Sequence, residues 1–221
     1  MPTNAASFTH SYTPRQERAN SLTAGTGAVL VAAGTALLVV LACLRGSAWH
    51  IVSFSVYGGT LFLLYLTATL YHSFRSPGVK RFFEILDHSA IFLLIAGTYT
   101  PFTLVTLRGT WGWPLFGVVW GLGVVGIIYK IFFTGRHPVF STLLYIGMGW
   151  MAVLALKPLM AALPADGVAL LLLGGAFYSL GTIFYHREKF YYSHAVWHLF
   201  VLAGSLCHYL TVLFYVLPKP V

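Results

Sequence analysis

Apolar residues run along this chain in long unbroken stretches, not in alternation with polar ones. Seven segments free of Lys, Arg, Asp and Glu fall at about residues 19–44, 46–74, 88–107, 109–129, 137–156, 167–186 and 190–218. Each holds the roughly 20 residues that carry a helix across a bilayer core. A closed barrel is the other structure that satisfies its backbone in lipid, but it needs strands that alternate polar and apolar positions. Runs such as LLVVLACL (37–44) and ALLLLG (169–174) do not alternate. The pattern predicts an all-α membrane protein, a seven-transmembrane helix bundle. Its connections RSPGVKR, TLRGTWGWP, TGRHP, LKPLMAALPADG and HREKF are short and rich in Pro, Gly and charge, so no soluble domain interrupts it. Residues 1–18 read as a cytoplasmic N-terminal tail and 19–218 as the membrane domain. The tail lacks the pattern of a cleaved signal, so the first span is expected to stay as an anchor.

Composition agrees: 58% of the 221 residues are hydrophobic and only 8% are charged, more apolar surface than a soluble core of this size can bury. The charged residues that remain give the orientation. Arg15, Arg18, Arg75, Lys80, Arg81, Lys130, Arg136, Arg187 and Lys189 belong to one side, and Arg45, Arg108, Lys157 and Lys219 to the other. The positive-inside rule then sets the N-terminus in the cytoplasm and the C-terminus outside. The formal net charge of +8 is accounted for by orientation and attraction to anionic headgroups, and the expected partners are membrane lipids, with no nucleic acid. Cys43 and Cys207 lie within apolar spans and are expected to be packed thiols without a disulfide.

The histidines add chemistry. His10, His50 and His137 sit where surface imidazoles need no reason. By contrast His72 ends span two in LTATLYHSF, Asp87 and His88 open span three in EILDHSAIF, His186 closes span six, and His194 and His198 open span seven in YYSHAVWHLF. With spans two and six running inward and three and seven outward, all of these reach the cytoplasmic end of the bundle. His194 and His198 are one helical turn apart, about 6 Å along the axis, and share a face. With His72 they make a three-histidine set, the donor set with which Zn²⁺ keeps an open position for water and lowers its pKa to about 7. Asp87 is the natural partner of that water or of a ligand ring. His88 and His186 read as interfacial or backbone-bonded, and His208, about 21 Å beyond His194 along the helix, as a separate hydrogen-bonded histidine. The GLGVVG of span four reads as a close helix contact.

The stretches ERANSLTAGTG, ATLYHSF, LDHSAIFLLIAGTYTPF, YIGMGW, YSLGTIFY and HAVWHLFVLAGSLCHYL resemble the bacterial haemolysin III branch of the progestin and adipoQ receptor family. The resemblance implies seven helices in the bacterial inner membrane and zinc near the cytoplasmic face, held by histidines that map onto His72, His194 and His198, with Asp87 at the family's acidic position. In the wider superfamily this set goes with metal-dependent hydrolysis of lipid amides. Two positions depart from the family pattern: Ala68 stands where a Ser usually precedes the span-two histidine by one turn, with Thr69 a possible substitute, and Ala24 stands where a His commonly follows Thr23. Glu17 and Asn20 of the same signature read as helix capping or as cover for the site. Three functions stay open: a zinc-dependent hydrolase of a lipid amide or ester, with Asp87 as general base, serving membrane-lipid homeostasis; a sensor or receptor of membrane state in which zinc is structural; and a pore-forming cytolysin. The first is favoured and the last ranks lowest, since the chain lacks the secretable form such toxins need.

Overall fold

The computed structural model describes residues 12–187 and 190–218, so His10, Lys189 and Lys219 lie outside the described residues. All regular elements within them are helical: α1 (Pro14–Arg45), α2 (Ala48–Ser73), α3 (Pro77–Pro101), α4 (Gly112–Phe133), α5 (Pro138–Gly149), α6 (Leu156–Ala162), α7 (Ala165–His186) and α8 (Ser193–Thr211). A wider π turn, Phe102–Thr106, extends α3 beyond Pro101, and another, Val212–Val216, extends α8. A 3₁₀ stretch, Trp150–Ala155, joins α5 to α6 into one crossing, so seven helical units are long and apolar enough to span a membrane.

Helices do not stop where charge begins. Helix α1 starts at Pro14 because Thr13 and Gln16 form a reciprocal cap: Gln16 N donates to Thr13 Oγ1 (3.3 Å) and Thr13 N to Gln16 Oε1 (2.8 Å). Pro14 occupies the first helical position, where its missing N–H costs nothing. Arg15, Glu17 and Arg18 are therefore helical, and residues read as tail and as first span are continuous from Pro14 onward. Helix α3 likewise starts at Pro77, which carries Lys80, Arg81, Glu84 and Asp87 within it. Lys130 belongs to α4 and not to the following connection. It is 3% exposed, and its Nζ donates to Ser141 Oγ (2.7 Å).

Helix α3 is the most enclosed of the spans, with 67% of its apolar window buried. Its Ala90, Leu94 and Phe102 pack with Phe54, Tyr57 and Leu61 of α2, Val31 and Leu38 of α1 and Val201 of α8 in one core cluster. Large apolar side chains left exposed, among them Val29, Val40, Val125, Leu143 and Leu180, form the face turned to lipid. Small residues set the closest approaches. A Cβ on Gly126, in the GLGVVG stretch, would lie 2.3 Å from the Phe92 ring, and one on Gly27 would lie 2.4 Å from Tyr65. Both cysteines are free thiols; Cys207 is buried, whereas Cys43 lies on the exposed face of α1 instead of packing inward.

The fifth span, read as ending near residue 156 with LKPLMAALPADG as a connection, instead runs on through the helical Leu156–Ala162 and breaks at Gly149. Tyr99 of α3 satisfies the backbone freed there: its hydroxyl lies 3.1 and 2.7 Å from the carbonyls of Met148 and Gly149 and accepts from Ala152 N (2.7 Å). In lipid such a break survives only when protein supplies these partners.

Candidate metal centre

Helix α2 brings His72 to its last turn, and α8 carries His194 and His198 in its first two turns. One candidate ligand atom from each lies within 4.8 Å of the other two. Ring centroids are 4.9 Å apart for His72 and His194, 5.4 Å for His72 and His198, and 4.7 Å for His194 and His198. His72 and His198 are buried, and Nε2 of His194 is out of reach of solvent. The three predicted ligands therefore converge.

What fixes the rings comes from α1 and the residues just before it. Glu17 Oε2 lies 2.6 Å from His72 Nδ1. A carboxylate that also accepts from Lys80 Nζ at 2.6 Å is ionised, so Nδ1 of His72 is the donor. Nδ1 of His198 donates to the Asn20 carbonyl (3.2 Å) and lies 3.0 Å from Thr23 Oγ1, which gives its own proton to Ala19 O (2.9 Å). Tyr12 OH is 3.0 Å from His194 Nδ1. A neutral imidazole protonated at Nδ1 offers its lone pair at Nε2. In His72 that Nε2 is buried with no hydrogen-bond partner among the described residues. A buried polar atom without a partner costs about 1–3 kcal/mol unless something unseen satisfies it. An orphaned imidazole nitrogen beside two more imidazoles fits a metal ion of the zinc type, and His72, His194 and His198 are the residues that would hold it.

Of the two readings of Glu17, capping and cover for the site, capping does not hold, because Thr13 and Gln16 cap the helix and Glu17 grips His72. Tyr12 and Thr23 were missed as ring partners. The available signal was the spacing Glu17, Asn20, Thr23, three residues apart on a helix of small and apolar residues, which sets polar groups along one side. The start of α1 is fastened beside α8 by Gln16 Nε2, which donates to Tyr191 O (2.6 Å), and by Thr13 Oγ1, 2.8 Å from Tyr191 OH.

Asp87 is not among the groups that cluster with the three histidines. Among the described residues it makes no hydrogen bond, and its electrostatic neighbours are Glu84 on its own helix and Lys130 of α4. Its charge also reaches Tyr71, whose ring is 4.6 Å from that of His72, and Tyr185, 6.0 Å from that of His194. This second polar cluster continues through Arg81, which donates to Glu84 Oε2 (2.9 Å) and to Thr134 O (3.0 Å). Of the remaining histidines, His88 and His208 bond backbone carbonyls, whereas His186, read as interfacial or backbone-bonded, meets a side-chain hydroxyl. His88 bonds the Glu84 carbonyl (2.7 Å) and lies 3.2 Å from the Tyr185 hydroxyl, His186 bonds Thr142 (2.9 Å), and His208 Nε2 bonds Leu171 O (3.1 Å). Thr69 donates to Tyr65 O (2.6 Å) and packs toward Gly25, so its hydroxyl is committed to its own helix, and Ala68 is buried.

The sequence matches the family described as Haemolysin-III related over residues 12–209. The chain belongs to the haemolysin-III related family. Hemolysin-3 of Bacillus cereus is 52% identical over 204 residues, covering 92% of this chain and 93% of that protein. The Hemolysin-3 homolog of Bacillus subtilis is 48% identical over 209 residues, 95% and 98% of the two chains. A human relative, the Monocyte to macrophage differentiation factor, is 26% identical over 183 residues, 80% of this chain and 76% of that one. With seven spans and bacterial relatives this similar, the chain is a multi-pass protein of the bacterial inner membrane. The segment that matches the haemolysin-III related family contains the whole centre, from the hydroxyl of Tyr12 to His198.

Proposed function

We propose that the chain is a zinc-dependent hydrolase of a lipid amide or ester that works from the cytoplasmic leaflet in membrane-lipid homeostasis. The observation that supports this reading is the buried Nε2 of His72, without a hydrogen-bond partner among the described residues and beside two further imidazoles. Three neutral nitrogen donors are the set that holds zinc while keeping one position for a non-protein ligand. Bound there, zinc supplies a Lewis acid that polarises a carbonyl and brings the pKa of water down to about 7. The chain's own residues orient and transfer protons. Glu17, Thr23 and Tyr12 hold the three rings. Asp87 is assigned the general base from its place on α3 and its match to the family's acidic position. The cytoplasmic setting rests on the count of basic residues along the sequence, of which Lys130 is buried.

A second reading is a sensor of membrane state in which the metal staples α2 to α8. It is favoured by the carboxylate found on a ring, which is Glu17 and not Asp87, and by Ala68, which supplies no hydroxyl. Pore-forming cytolysis has behind it the haemolysin names of the family and of the two Bacillus relatives, and no feature of the centre. Incubation of zinc-replete protein with its host's lipid extract, followed by mass spectrometry of the products, separates the first two. Released fatty acid that depends on Asp87 supports the hydrolase. No hydrolysis of any ester or amide favours the sensor.

A further inference from the structure

A crevice of about 670 Å³ opens between the start of α1 and the end of α2, with His72 and Glu17 in its wall. That is the size range of sites that take small ligands. Its charged lining is Glu17 against Arg18, Arg75 and Lys80. Glu17 is already matched by Lys80 at 2.6 Å and by His72 at 2.6 Å, so two positive charges are left over. Arg18 and Arg75 are exposed and make no hydrogen bond or ion pair among the described residues. They come from separate parts of the chain, one from α1 and one from the α2–α3 connection, and both line the crevice. Beside them lie two apolar side chains that the bundle leaves uncovered, Leu22 at 71% exposure and Phe74 at 41%. Two guanidinium groups lining one crevice beside an apolar ledge, at a membrane boundary, suit an anion that carries a hydrocarbon tail.

We propose that this crevice binds the anionic headgroup, phosphate or carboxylate, of an amphiphile between Arg18 and Arg75, with its apolar part against Leu22 and Phe74 and the adjoining wall formed by His72. As a statement of substrate class this rests on the hydrolase reading, while the binding itself does not. The Ser21 hydroxyl, 2.8 Å from that of Ser73, ties α1 to α2 along the crevice and keeps its walls at a fixed separation. The negative charge of Glu17 does not oppose such a ligand, because Lys80 stands on its other oxygen.

The test titrates dodecyl phosphate onto the purified full-length protein in an uncharged detergent, with bound ligand counted by native mass spectrometry. One dodecyl phosphate per wild-type chain is expected. Affinity should fall roughly tenfold for each arginine removed in Arg18→Gln and Arg75→Gln, the size of one charge-assisted hydrogen bond. The comparison variant is the pair Arg15→Gln and Arg136→Gln, exposed cations at the same end that do not line the crevice, and it should bind as wild type does. Equal losses in both pairs, or none in the crevice pair, overturn the proposal. Displacement by inorganic phosphate at equal concentration makes the site one for a free anion and overturns the headgroup assignment. Zinc content measured on the same samples keeps the two ideas apart. Wild type without zinc removes the hydrolase reading and leaves the crevice to stand or fall on dodecyl phosphate alone.

Discussion

Replacing Glu17 by Gln tests whether α1 tunes the metal centre or only packs beside it. The carboxylate accepts from His72 Nδ1 and from Lys80 Nζ, each at 2.6 Å. A neutral amide cannot serve both, because its oxygen can face one donor while its NH₂ then faces the other. At least one charge-assisted hydrogen bond is lost, worth about 1.5–3 kcal/mol, which corresponds to roughly a 10- to 100-fold drop in zinc affinity if the loss falls on the ligand ring. Global stability should change less, since the Lys80–Glu17 pair is partly exposed, 25% and 19% at the two side chains, and such pairs contribute about 1 kcal/mol or less. The assay is competition for zinc against a chelator of known affinity, run beside thermal unfolding of the metal-free protein. A Glu17→Gln protein that holds zinc as tightly as wild type but unfolds earlier would refute the reasoning and return Glu17 to a packing role.

Three further outcomes are expected. Asp87→Asn keeps shape and hydrogen-bonding capacity but removes the base, so zinc should stay while lipid hydrolysis falls roughly 10²- to 10⁴-fold; in the same assay, Ala68→Ser that raises turnover without raising zinc content supports catalysis. Lys130→Ala leaves Asp87 without its nearby cation, while Glu84, 5% exposed, keeps only Arg81, and it strips Ser141 of its donor. Unfolding in denaturant should show a loss of about 3 kcal/mol, and a change under 1 kcal/mol would mean that the cation is not holding the cluster. A reporter active only outside the cytoplasm, fused after Val221, should be active, and activity from an N-terminal fusion alone would invert the topology drawn from the basic residues.

Much of the bundle was legible because a bilayer imposes a length rule that the apolar runs obey. The three-histidine cluster was legible for a similar reason: His194 and His198 are fixed on one face by helix geometry, and span ends bring His72 to the same end. What escaped lay in helical turns beyond the charge-free runs. Cutting spans at the first charged residue hid the fact that α1 reaches back to Pro14 and delivers Glu17, and that α4 runs on to Phe133 and buries Lys130. The break in span five was hidden too, since it depends on a hydroxyl from Tyr99 across the bundle. Tyr12 was the least legible partner, because a contact across 182 residues has no local signature.

The central claim, that His72, His194 and His198 hold one metal ion, is tested most directly by metal analysis of the purified protein and of its His194→Ala/His198→Ala double variant. The account predicts about one zinc per wild-type chain and almost none in the double variant, because a single remaining imidazole cannot make the site. Full zinc occupancy in the double variant, or wild-type protein that takes up no metal, would contradict it.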